Sequence, residues 1–151
     1  MSEAEKILEM IEQVSPDDTA KLDEIDARVW AYLHLHDDFK IYFHKERGAI
    51  TYRHNSWPKD AHYSVLRHGF SNPKVTTSRD ALKAIRPSGY FFLRRSPPDD
   101  GWPYIETSLV KILKDGDEEL RFSNMIGTLA TEELAELHAI IQAIKYERTK
   151  P

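Results

Sequence analysis

Six of the seven histidines, His34, His36, His44, His54, His62 and His68, fall within 35 residues and stand close to Asp37, Asp38 and Asp60. Imidazole and carboxylate are the natural ligands of zinc, manganese or nickel in a chain without cysteine. His34 and His36 followed by Asp37 and Asp38 form the tightest such group, and a metal held there could activate water for hydrolysis. Residues two apart on a helix point about 200° from one another, so both histidines reach one ion only if the helix has ended at this point. The competing reading is of helix C-terminal histidines that face solvent and interact with the helix dipole.

A second group of residues could hold a macromolecule. Lys45, Arg47, Arg53, Lys59, Arg67, Lys74, Arg79, Arg94 and Arg95 are interleaved with Tyr42, Tyr52, Trp57, Tyr63 and Phe70. Cations bind phosphates or carboxylates, and aromatic faces stack on unpaired bases or fill pockets on a protein partner. We take Lys45, Arg47, Arg53, Trp57, Arg67, Arg94 and Arg95 as the candidate binding residues. The bland alternative is that the aromatics belong to the core.

Other chemistry finds little support. Without cysteine there is no disulfide, thiolate nucleophile, Cys-ligated zinc or iron–sulfur cluster. No serine sits in a G-x-S-x-G elbow, and neither an H-E-x-x-H pair nor a phosphate-binding glycine loop occurs. Glu118-Glu119 and Glu132-Glu133 are adjacent carboxylates, but a hairpin end and a helix start account for them. The favoured reading is therefore non-enzymatic, with a His/Asp metal-dependent hydrolase as an alternative. No cofactor is expected outside that alternative, which requires a divalent transition metal.

The elements that position these residues follow from period and punctuation. Ile7, Leu8, Ile11 and Val14 recur at helical spacing, so residues 3–14 read as a short amphipathic helix. Ser15-Pro16-Asp17-Asp18 predicts a second helix from residue 16, with Leu22, Ile25, Val29 and Leu33 inward and an end near Asp37-Asp38. Residues 39–43 and 49–52 are β-prone and form a hairpin, whereas 54–75 reads as an irregular excursion with a turn of helix around 61–66. Thr77-Ser78-Arg79-Asp80 opens a third helix that Pro87 and Gly89 stop. Strands are expected at 90–93, 104–113 and 120–125, the last two joined by Asp115-Gly116-Asp117. Thr131-Glu132-Glu133 starts a closing helix with Leu134, Leu137, Ile141 and Ile144 inside.

Successive strands without helical crossovers cannot make a doubly wound sheet. The expected fold is a single α+β domain over residues 1–151, a mainly antiparallel sheet of about five strands packed by helices, an α/β/α sandwich being one arrangement that fits. The 151 residues carry 40% hydrophobic and 30% charged side chains, an ordinary globular balance.

Charge is unevenly spread. The net value is −7 over residues 1–40, +8 over 41–96 and −5 over 97–151, within a total of −4. Either the acidic ends fold over the basic middle, or the middle presents a basic face to a partner. Met1 to Val14 lacks the basic start and apolar run of a secretory signal, and no stretch approaches the ~20 apolar residues of a membrane span. The expected location is cytoplasmic, in the host cell if the chain is phage-encoded, with no membrane association.

Three segments in order carry a resemblance: Leu22 to Ala27 ahead of a Trp, Thr76 through Gly89, and the Ala/Leu-rich helix from Thr131 to Lys145. Together they resemble the phage ABA-sandwich family of small phage and prophage proteins, over roughly half the chain. Leu82 stands where the family's middle motif has a second Ala, and the His-rich stretch 34–68 has no counterpart in it. The resemblance implies a sheet between helical layers and a phage or prophage setting, and it brings no activity. The partner expected from residues and resemblance together is a macromolecule, protein ahead of nucleic acid.

Overall fold

In a computed structural model the described residues form four helices and six strands. The structure describes residues 2–35, 39–44, 49–58, 64–68, 72–95, 106–113, 116, 118–125 and 129–150. Helix α1 (Glu3–Gln13) opens with a reciprocal cap. The Ser2 hydroxyl accepts from Glu5 N at 3.2 Å and the Glu5 carboxylate accepts from Ser2 N at 3.1 Å. Helix α2 (Thr19–Leu35) starts three residues later than its Ser-Pro signal predicts. Ser15 closes a turn by accepting from Asp17 N at 3.4 Å, and Asp18 accepts from Lys21 N at 3.1 Å at the true start. A carboxylate at the positive helix end outcompetes the neutral hydroxyl for this task.

Strands β1 (Phe39–His44), β2 (Ala49–His54) and β3 (Ser64–His68) form one antiparallel sheet in that order. The third strand corrects the sequence reading over 64–68, part of a stretch expected to be irregular with a turn of helix around 61–66; residues 61–63 lie outside the described residues. Ser64–His68 is extended because β2 pairs with it across a shift between Ile50 and Thr51, a non-local interaction that no local period announces. Helix α3 (Arg79–Ile85) is capped by Ser78, which accepts from Ala81 N at 3.2 Å, one residue beyond the Thr77 cap expected.

Strands β4 (Tyr90–Arg95), β5 (Glu106–Ile112) and β6 (Glu119–Met125) form a second antiparallel sheet in sequence order. Leu109 sits between Phe92 and Phe122 in register. Helix α4 (Glu132–Thr149) is capped by Thr131, which accepts from Leu134 N at 3.1 Å.

The α+β class and the antiparallel pairing are as expected, but the described strands divide into two sheets of three. Helix α4 lies on β5 and β6, α1 on α4, α2 on α1, and β1 and β2 on α2. Two apolar clusters explain the division. Leu22, Ile25, Val29 and Tyr32 of α2 join Ile7, Ile11, Leu82, Leu109, Leu134, Leu137, Ile140 and Ile141 in the main core. The small residues Ala27 and Ala31 face away from it and receive Leu35 and Phe43 of β1. Each fully buried Leu or Ile contributes ~1.5–3 kcal/mol, so the larger cluster dominates and the first sheet is attached through a thinner contact. Among the described residues no helix is long and apolar enough to cross a membrane.

Candidate functional site

The alternation in Phe39–His44 is the local cause of the most distinctive surface. Phe43 packs toward α2, and the strand period therefore turns Lys40, Tyr42 and His44 the other way. Register places Lys40 opposite Arg53 and Tyr42 opposite Thr51, so these five side chains share the outer face of the first sheet. Lys40, Tyr42 and His44 are exposed, Tyr42 by 48%. The His44 Nε2 and the Thr51 hydroxyl are 2.9 Å apart, which orients the imidazole along the sheet.

Beside this face the chain makes a turn that uses two predicted residues. Trp57 N donates to the His54 carbonyl at 3.0 Å, and the Trp57 ring lies 5.5 Å from that of Tyr52. The Arg53 guanidinium donates through Nη2 to the carbonyls of Trp57, at 3.2 Å, and Pro58. Arg53 is thus held as a clamp on the turn, with part of its donor capacity spent. Neither Lys40 nor Arg53 forms an ion pair among the described residues.

The other predicted binding residues are dispersed. Lys45 and Arg47 lie outside the described residues. Arg67 stands opposite Ile50 on β3 of the first sheet, whereas Arg94 and Arg95 stand opposite Thr107 and Glu106 on the second sheet. The seven residues therefore do not come from one sheet. Lys40 belongs to no charge cluster in the sequence, and strict alternation along β1 is what marks it.

Part of the basic middle is neutralised by the acidic ends. Lys74 pairs with Asp23 of α2 at 3.3 Å, and Arg79 meets Glu132 at 2.5 Å, Glu133 at 3.5 Å and Glu136 at 3.9 Å on α4. These pairs hold α3 and its approach against the helices. The first sheet is not covered in this way among the described residues.

Of the candidate metal ligands, His36, Asp37 and Asp38 lie outside the described residues. His34 occupies the last turn of α2, its Nδ1 2.8 Å from the Trp30 carbonyl and its ring stacked on the Trp30 ring with centroids 4.2 Å apart. Among the described residues no three His, Asp or Glu side chains are placed to share a metal ion. Comparison with protein-family models, with curated proteins and with solved structures finds no match to this chain.

Proposed function

We propose that this chain is a non-enzymatic interaction module of phage or prophage type, acting in the cytoplasm, whose first sheet contacts the acidic surface of a protein partner. The observation that carries the reading is the outer sheet face of Lys40, Tyr42, His44, Thr51 and Arg53, cationic, half-open and centred on an exposed aromatic. A sheet face with one aromatic anchor and flanking cations suits a protein interface, where aromatics and Arg dominate binding.

Nucleic acid is the second reading, favoured by the position of Tyr42 among cations. Two things weigh against it. Strong nucleic-acid binding draws on several phosphate contacts, and Arg53 is already engaged by two carbonyls. The net charge of −4 also opposes long-range attraction of a polyanion.

Affinity capture from extracts of the source cell, with the wild-type chain beside a Lys40→Glu, Tyr42→Ala double variant, tests the reading. A protein that survives nuclease treatment, elutes as salt rises and is lost with the double variant supports it. Capture abolished by nuclease transfers the site to nucleic acid. Equal capture by both chains overturns the assignment of this face.

A further inference from the structure

A cleft of about 220 Å³ opens between α2 and the segment that leads into α3. Val29, Trp30, Leu33, Pro73, Val75 and Ile85 make it apolar, and Asp26 is the carboxylate in its lining. Asp26 is 2% exposed. It accepts a hydrogen bond at Oδ1 from Thr76 N at 2.9 Å. His34, stacked on Trp30, stands at the exposed rim.

A carboxylate in an apolar wall is costly unless a cation or several donors compensate it. The task of holding Thr76 N does not call for charge, since an Asn side-chain carbonyl accepts the same bond. Lys74, the cation on the adjoining segment, is drawn to Asp23 at 3.3 Å. Burial raises the Asp26 pKa to about 6, against the pull of Thr76 and Lys74, which is the mark of a negative charge short of compensation. At neutral pH the group is nevertheless mainly ionised.

We infer that this cleft is a binding site for a small organic cation, an arylalkylamine whose ammonium pairs with Asp26 while its ring lies between Trp30, Leu33 and Ile85. Size agrees with this class. An apolar cavity of about 150 Å³ accepts one benzene-sized molecule, so the volume here takes one ring and a short amine arm. The site lies on α2 and α3 and stands or falls independently of the first-sheet face.

The test titrates the full chain with benzylamine, phenethylamine and cyclohexylmethylamine, each against its neutral alcohol analogue, following the Trp30 indole signal by NMR and heat by calorimetry. The expected result is saturable one-to-one binding of at least one amine with a dissociation constant on the order of 1 mM or below. Its alcohol should bind at least about tenfold more weakly, since a charge-assisted bond is lost. Asp26→Asn should bring the amine down to the affinity of the alcohol and leave the alcohol unchanged. Ile85→Trp, which fills the cleft and keeps the carboxylate, should abolish both, so the result does not hang on one variant. Failure of all three amines to saturate, equal affinity for amine and alcohol, or full amine binding by Asp26→Asn each overturns the proposal.

Discussion

The Arg148 guanidinium lies 4.3 Å over the Tyr32 ring and donates to the Tyr32 carbonyl through Nη1 at 2.9 Å and to the Leu33 carbonyl through Nη2 at 3.2 Å. Those carbonyls belong to the last turn of α2, where helical acceptors lack partners, and a cation there also answers the helix dipole. One side chain at the end of α4 thereby finishes a helix 116 residues earlier in the chain. It also steadies the helix to which the first sheet is attached. Arg148→Ala should lower stability by about 1–3 kcal/mol in urea unfolding. Arg148→Lys should recover only a part, because an ammonium cannot fork to two carbonyls and stack at once.

Glu147, the neighbour of Arg148, gathers three donors on the other side of α4. Lys150 reaches it at 2.6 Å, and Lys111 and the Tyr90 hydroxyl at 2.9 Å each. These donors hold its carboxyl at about 2, Lys150 having the largest effect. The folded value is below the unfolded one, so the stabilisation is complete above about 4.5 and is lost as pH falls toward 2. Glu147→Gln should cost about 1–2 kcal/mol at pH 7 and flatten the stability profile between those limits. Urea midpoints at a series of pH values check both parts. An unchanged acid slope in the variant would place the acid sensitivity elsewhere.

Gly89 is the joint between α3 and β4. Its φ of +87° lies in the region that side chains avoid, while a Cβ would meet nothing closer than Lys111 Cε at 3.7 Å. The expected cost of Gly89→Ala is therefore conformational, about 1–2 kcal/mol, with no steric clash. Ser88→Ala, one residue earlier, should stay within about 0.5 kcal/mol. Thermal melts of the two variants make the comparison.

Gly89 also shows which part of the fold could be read from sequence. Stops and starts that depend on one or two residues were legible, as with Pro87 and Gly89 after α3 and Thr131 before α4. So were the core positions Leu134, Leu137, Ile141 and Ile144, which all are buried. Competition between adjacent caps was not legible: the charged Asp18 prevails over Ser15, and Ser78 over Thr77, where several capping residues stand within a turn of one another. Strand β3 was missed since its extended state comes from β2, and the division into two sheets was missed since it turns on the small residues Ala27 and Ala31. The candidate face was half-legible. Its aromatics and Arg53 stand out in a count of residue types, whereas Lys40 emerges only when the period of β1 decides what faces outward.

Asp26 is the least legible residue of all, since its burial depends on Thr76, 50 residues away. Its pKa is raised from 3.8 to about 6 by desolvation, with Thr76 and Lys74 opposing. The sign is thus the reverse of that for Glu147. Between those two values the folded chain binds more protons than the unfolded one, so this residue's contribution falls as pH rises through the window and stays unfavourable above it. Below about 3.8 the carboxyl is neutral in both states and contributes nothing to the pH dependence. Asp26→Asn keeps an acceptor for Thr76 N and removes the buried charge. It should therefore stabilise the chain by on the order of 1–3 kcal/mol at pH 7.5 and by much less at pH 4. Urea unfolding of wild type and variant at the two pH values measures the difference. A variant less stable at pH 7.5 would show that Thr76 and Lys74 compensate the buried charge in full, and the desolvation account of Asp26 would fail.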